Sequence, residues 1–522
     1  MKATTLVLAT LWLTVAATSP EGEAETKSPL DRIKHVVVLC MENRSFDHMF
    51  GLFDHNPELD GLANYMNTTN AANLRDPNSQ AVRVSRGSPY IAPVNPEHDV
   101  GYVTEQIFGT RRVRKPYPDP APMNGFIQDN LLATNGNLEI AGMDVPVLGE
   151  AFTPEQLPVL DQLAREYAVV DRWFSSVPGP TQPNRAFMHA GTAHGEVDNH
   201  LWHMRMGYPQ KTIYQSLTEA GKDWKVYYHD GPSAALFRWM RKPKNLLKLK
   251  SFTKNFADDC REGKLPAYTF IDPQYFDRKK VMGLFGKNSY ANDDHPPHDV
   301  RRGQDLIKDV YEAVRSSPQW ESTLLIITYD EHGGYYDHVP PPSRGVPNPD
   351  GIAGDGINYD RLGVRVPTLM ISPWIRKGAV FHSPPDWVKP TETSQYEHSS
   401  IPATLHKLFQ TKGFLTSRDR WAATLESMWS ELSAPRTDTP VELVSSPPYR
   451  KRSQFAVDQE EAYNLDLSGP LTDMQEALLE SMKGVNGDLD LNRTLSKVEA
   501  ADYIDQVLDT KTRDAEREVG LV

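Results

Sequence analysis

The apolar positions of this chain gather into short, β-branched runs, and each run ends abruptly in a polar, acid-bearing turn. Residues 323–328 (Thr-Leu-Leu-Ile-Ile-Thr) form one such run. Asp330 and Glu331 follow almost at once, then His332 and the pair Gly333-Gly334, which lets the backbone turn tightly. An unbroken apolar run of this length reads as a strand buried on both faces, the kind found in parallel sheets. Residues 33–40 repeat the pattern and lead into Glu42-Asn43-Arg44-Ser45-Phe46-Asp47-His48. Two such strand ends in one sheet can face each other. Further strands are predicted at 167–170, at 268–271 with Asp272 behind it, and at 364–371, broken by Pro367. Helices are predicted at 153–166 (capped by Thr153, with Pro154 in the first turn), 186–193 and 301–315, and from Ser399 or Ser400 to 409.

Between these elements the pattern is looser. Residues 54–125 are rich in Asn, Pro, Gly and Asp, and read as a long excursion over the sheet edge that shapes a pocket; Pro96-Glu97-His98-Asp99 lies within it. Residues 432–449 are rich in Ser, Pro and Thr and read as a linker. Beyond it, 471–483 and 496–510 carry amphipathic helical periodicity, suited to docking on the main domain or touching a membrane surface. At the other end, Met1-Lys2 precede an apolar run over 5–17, short for a bilayer span, with small residues Val15 and Ala17 placed for cleavage. This predicts a signal peptide at 1–18 and entry to the secretory pathway, with the protein secreted or held in an endomembrane lumen; an uncleaved anchor is the other reading. Asn67-Thr68-Thr69 and Asn492-Arg493-Thr494 then become glycosylation acceptors. No other stretch reads as transmembrane, so lipid contact would be peripheral.

Composition narrows the classes. Hydrophobic residues make up 39% of the 522 positions and there are 41 prolines, which implies ordered loops over a moderate core. A net charge of −13 argues against a nucleic-acid partner. The basic run at 241–250 suits either anionic lipid or plain solvation. Two cysteines, Cys40 and Cys260, provide neither a disulfide scaffold nor a thiolate metal site; Cys40 reads as a buried thiol, and one bridge between them stays open.

The candidate chemistry sits at the ends of the apolar runs. Ligand sites in open α/β sheets lie beyond the carboxyl ends of strands. Adjacent acids there, with histidines close by, suit a divalent cation or proton transfer, or merely a solvated turn. Thr181 follows Pro178-Gly179-Pro180 and precedes Pro183 at the mouth of a predicted helix. Free N–H groups and the helix dipole there favour a phosphate, and a hydroxyl held there can attack phosphorus; a simple N-cap is the other reading.

Taken jointly, five stretches resemble the phosphoesterase family that holds phosphatidylcholine-hydrolysing phospholipases C, plant-type non-specific phospholipases C and certain acid phosphatases. They are Glu42 to His48, Pro180-Thr181-Gln182-Pro183-Asn184-Arg185, Asp294-His295-Pro296-Pro297-His298-Asp299, Thr328 to Gly334, and Gln395-Tyr396-Glu397-His398-Ser399-Ser400-Ile401-Pro402. The resemblance implies an alkaline-phosphatase-like α/β sandwich with a mostly parallel central sheet flanked by helices, plus a C-terminal helical extension. The catalytic domain would run over 31–430, and the linker and helical region over 431–522. The same resemblance implies that Glu42, Asn43, Asp330, Glu331 and the Thr181 hydroxyl gather round one divalent cation. Hard oxygen ligands suit Ca, Mg or Mn. Thr181 would be the nucleophile, His98 and His295 the catalytic histidines, and Arg185 and His298 substrate-binding residues. Arg185 equally suits fixing the helix start. Arg44 and Asp47 are expected to pair and hold the Glu42 loop, Phe46 to be core, and Asp337 with His338 to support the acids from behind. His398 either enters the site or precedes a helix. The expected reaction is hydrolysis of the glycerol-side phosphoester of phospholipids at a membrane surface. An acid phosphatase for small phosphomonoesters, and a secreted surface-binding protein with a vestigial site, are the alternatives.

Overall fold

The computed structural model describes residues 28–92, 95–133, 149–279, 288–449, 466–467, 469–488 and 494–521. The segment read as a signal peptide and Asn492 lie outside the described residues. The other acceptor, Asn67, is exposed on a turn. At the centre is an eight-stranded sheet: β1 (His35–Met41), β2 (Ala168–Val170), β3 (Trp224–Tyr228), β4 (Leu249–Ser251), β5 (Tyr268–Ile271), β6 (Thr323–Tyr329), β7 (Thr368–Ile371) and β8 (Ala379–Phe381). Their order across the sheet is β8-β2-β7-β6-β1-β5-β3-β4. Within this sheet β7 runs antiparallel to both neighbours and every other pairing is parallel. The expected α/β architecture, a mostly parallel sheet flanked by helices with C-terminal helices added, is what forms.

β1 and β6 are adjacent and buried almost throughout, which is why both read as unbroken apolar runs. Their parallel register pairs Met41 with Tyr329, so Glu42 and Asp330 leave the sheet side by side. β5 pairs Ile271 with Leu39, and Asp272 emerges on the other side of β1 at the same end. Three acids thus share one edge because three neighbouring strands stop together.

Several boundaries differ from expectation: the strand read over 364–371 forms only at Thr368–Ile371, and the helix read over 496–510 runs on to Glu518. The first helix is Pro158–Glu166, not 153–166, and Thr153 does not cap it. Thr153 instead opens a separate turn, in which Gln156 Oε1 accepts from the Thr153 N–H. The helix expected from 186 starts a turn earlier, at Thr181, and ends at Ala190 before a left-handed Gly191. The C-terminal helices, Asp473–Asn486 and Lys497–Glu518, each begin with a capping box. They pack on the main body through Met474, Leu478, Met482, Ile504 and Leu508 against Ala235, Tyr275 and Phe276. The 432–449 stretch lies along the Val300–Ser316 helix, where Tyr311 Oη and Lys308 Nζ donate to the Pro440 and Leu443 carbonyls (2.5 and 2.6 Å). Both cysteines are free and buried. No helix among the described residues is long and apolar enough to cross a membrane.

Candidate active site

Local backbone geometry aims the side chains. After β1 the chain turns sharply at Asn43, whose φ of 54° is left-handed. Its N–H donates to Asp330 Oδ1 (3.3 Å), which clips one strand end to the next. Across from it Gly333 also has positive φ, and a Cβ there would lie 2.2 Å from the Asn43 carbonyl oxygen. Only glycine allows that approach. Glu331 is then pinned through Oε2 by the Gly333 N–H (2.7 Å), leaving Oε1 facing inward.

Arg185 ties the three strand-end acids together. It is fully buried, with Nε on Asp330 Oδ2 (2.8 Å), Nη2 on Glu42 Oε1 (3.1 Å) and Nη1 on Asp272 Oδ1 (3.4 Å). Its guanidinium thus holds three protein carboxylates at once, which gives it a positioning role. Thr181 lies one turn N-terminal to Arg185 on the same helix face. It occupies the first helical position, caps nothing, and its buried Oγ1 has no hydrogen-bond partner.

The histidines converge from loops. His98 Nδ1 bonds the Pro96 carbonyl (2.7 Å), which turns Nε2 toward Asn43 Nδ2 (3.5 Å), Asp473 Oδ2 (3.4 Å) and Glu331 Oε1 (3.8 Å). Burial opposes its charge, but Glu331 and Asp473 outweigh that and hold its pKa well above the usual imidazole range. His295 is fully buried with Nδ1 on the Pro296 carbonyl (2.5 Å) and Nε2 unpartnered. Burial, with His298 and His98 adding repulsion, lowers its pKa. His298 Nδ1 bonds Asp293 Oδ1 (2.6 Å) and its Nε2 is likewise unpartnered. His398 does reach the site, from behind: Nδ1 accepts from Trp173 Nε1 (3.2 Å), so Nε2–H donates to the Asp330 carbonyl (2.6 Å).

Two contributors were not anticipated. Asp293 joins the site through the Glu42 N–H, which donates to its carbonyl (2.8 Å), and through its bond to His298. Asp473 opens the first C-terminal helix and reaches His98 from far along the chain. Two expected supports do not form. Arg44 does not pair with Asp47: its Nε donates to the Asp294 carbonyl (2.8 Å) and its guanidinium stacks on Tyr335. Asp337 and His338 do not stand behind the acids: with Asp47 they surround Arg365 instead. Phe46 is core, as expected.

What distinguishes the site is unmet polarity. Glu42 Oε2, Asn43 Oδ1, Thr181 Oγ1, Asp293 Oδ2, Glu331 Oε1, His295 Nε2 and His298 Nε2 are all buried and make no hydrogen bond, Glu331 Oε1 meeting only the His98 imidazole at 3.8 Å. Buried polar atoms without partners are rare and costly, so a gathering of them marks a place where something else binds. Four of the five predicted cation ligands, Glu42, Asn43, Thr181 and Glu331, bring a free oxygen, and the set is all hard oxygen. Asp330 does not: Arg185, Asn43 N–H and its neighbour Glu331 N–H occupy it. The described trios of His, Cys, Asp or Glu whose ligand atoms lie within 4.8 Å of one another are elsewhere, so the acids alone do not close a cage here.

Buried acids, histidines and a helix-mouth threonine thus meet at the end of a mostly parallel sheet, and the chain belongs to the Phosphoesterase family, whose model matches residues 33–412. Within that family it is similar to the non-specific phospholipases C of Arabidopsis thaliana. It is 45% identical to non-specific phospholipase C3 over 472 residues, 90% of this chain and 84% of the relative. Non-specific phospholipase C1 is 47% identical over 79% of this chain and 73% of the relative. Phospholipase C B of Mycobacterium tuberculosis is 28% identical over 69% and 72%.

Proposed function

We propose that the chain is a phospholipase C that cleaves the glycerol-side phosphoester of membrane phospholipids, with Thr181 as nucleophile. The observation that carries the reading is the unpartnered Thr181 hydroxyl at a buried helix mouth, one turn from an arginine fixed on the strand-end acids. Those N-terminal N–H groups favour a phosphoryl oxygen. Glu42, Asn43, Glu331 and Thr181 would hold a divalent cation of the Ca, Mg or Mn kind, with Asp330 fixing their frame. When bound there, such a cation lowers the hydroxyl pKa of Thr181 and offsets charge on the phosphoryl oxygens.

Thr181 Oγ attacks phosphorus, and the bond from phosphorus to the glycerol oxygen breaks. His295, with Nε2 free, would take the hydroxyl proton. His98, with Nδ1 committed to Pro96, presents Nε2 to give a proton to the departing diacylglycerol oxygen. Water, giving a proton to His98, then attacks phosphorus; the bond from phosphorus to Thr181 Oγ breaks, the phosphorylated head group leaves, and His295 returns the proton to Oγ. Arg185 keeps Glu42 and Asp330 in register. His298 orients Asp293 and leaves Nε2 for a phosphoryl oxygen.

The domain reading accompanies this: a catalytic unit over 31–430, and a C-terminal region that contributes Asp473 to the site mouth. The apolar run over 5–17 supports a secreted or endomembrane-lumenal protein that visits the membrane surface peripherally. Product analysis on mixed phospholipid vesicles with added divalent cation tests the reading. Diacylglycerol and phosphorylated head group are expected. Turnover of a soluble aryl phosphate alone would make it an acid phosphatase, and no phosphoester turnover at all would make the site vestigial.

A further inference from the structure

The loop that leaves the Thr181–Ala190 helix carries a second constellation. Glu196 places its carboxylate between two imidazoles: Oε2 meets His200 Nδ1 at 2.8 Å, and Oε1 contacts His203 Nδ1. One ligand atom from each of the three lies within 4.8 Å of the others, and the two rings are 5.5 Å apart. Their spacing is Glu-x3-His-x2-His, with both histidines at the start of the Leu201–Met206 helix, where positions three apart share a face. The residue's backbone is anchored: Glu196 is 8% exposed, its N–H donates to the Ala193 carbonyl (3.1 Å), and its own carbonyl accepts from Tyr359 Oη. The histidine side chains are 52% and 56% exposed, so water and ions reach them freely, and Glu196 and His203 also line a cavity of about 220 Å³.

We propose that Glu196, His200 and His203 form a second cation site, for a borderline divalent metal such as Zn²⁺, separate from the hard-oxygen site at the strand ends. Two imidazoles and one carboxylate are a zinc-type donor set that leaves a coordination position open. The strand-end oxygens, by contrast, suit Ca, Mg or Mn. The ion would cross-link the helix start to the loop behind it. That segment borders the catalytic region: Asn199 bonds the Asp473 carboxylate, and Asp198 faces Asp99. Leu201 and Trp202, 38% and 57% exposed, stand next to it. Occupancy would therefore fix the geometry of the segment beside the His98–Asp473 pair.

The experiment compares the full-length metal-stripped protein with a His200→Ala, His203→Ala double variant and with Glu196→Gln, each titrated with Zn²⁺ alone. All three proteins keep the strand-end site, so the difference reports the loop. The wild-type chain should take up one more equivalent than either variant, and Co²⁺ should give a visible difference spectrum from imidazole ligation. Zn²⁺ should also slow amide exchange over 196–206 in wild type and leave it unchanged in the double variant. Equal zinc content in all three proteins, or unchanged exchange over 196–206 in wild type, overturns the proposal.

Discussion

Two buried charged clusters sit at the same end of this molecule, built from the same residue types, and they behave in opposite ways. In one, Arg365 donates to Asp47 and Asp337 (2.9 Å each), while His338 bridges Asp47 and Asp60 (2.7 and 3.2 Å). Among the described residues, no side-chain atom of these five is left without a partner. In the other, Arg185 satisfies three acids in a similar way, yet seven buried atoms on the strand ends, helix start and loops of that site make no hydrogen bond. Acid, histidine and arginine content does not tell the two apart. Satisfaction does: a closed network holds structure, and an open one is held ready for a ligand.

The largest effect that could break this contrast is at Thr181. Thr181→Ala should lower kcat by orders of magnitude with little change in melting temperature, since Thr181 makes no cap bond to lose. Thr181→Ser should retain part of the rate. Arg365→Ala should do the reverse. It strands two buried carboxylates and should cost about 3–5 kcal/mol in denaturant unfolding, while the surviving folded fraction keeps its turnover per molecule.

The closed cluster should also show in pH dependence. Asp47 and Asp60 overcome burial and raise the His338 pKa to about 9. A pKa raised above the unfolded value of about 6.5 gives stability that is complete below that pH and lost as pH climbs through about 9. Wild type should therefore lose up to about 3 kcal/mol more than His338→Gln between those limits, measured by unfolding at each pH. The smallest effect is expected at the rim of the open cluster. Asp473→Asn removes a charge beside His98 and should lower kcat/KM by about tenfold, with an unchanged melt.

Much of this was legible in the sequence, for physical reasons that also explain the gaps. β1 and β6 announced themselves because strands buried on both faces are apolar throughout, and the acids that follow were placed by the strands' common end. The position of Thr181 at a helix mouth was legible from the prolines around it. Asp293 was hidden because its role comes from a backbone contact with Glu42, which no spacing reveals. Asp473 was hidden because it arrives through tertiary docking of a helix from beyond the linker. The Arg44–Asp47 pairing was misjudged because neighbours in sequence are not neighbours here: Asp47 is claimed by Arg365, far along the chain. Asp337 and His338 follow the Gly turn closely, but the turn sends them away from the acids.

The central claim is that the open cluster exists to let Thr181 take a phosphoryl group. Rapid acid quench of the enzyme turning over head-group-labelled phosphatidylcholine, followed by peptide mapping, tests it directly. The account predicts label on the peptide containing Thr181, absent from Thr181→Ala. An unlabelled Thr181 peptide at every quench time, together with near wild-type turnover by Thr181→Ala, would contradict it and make water the nucleophile.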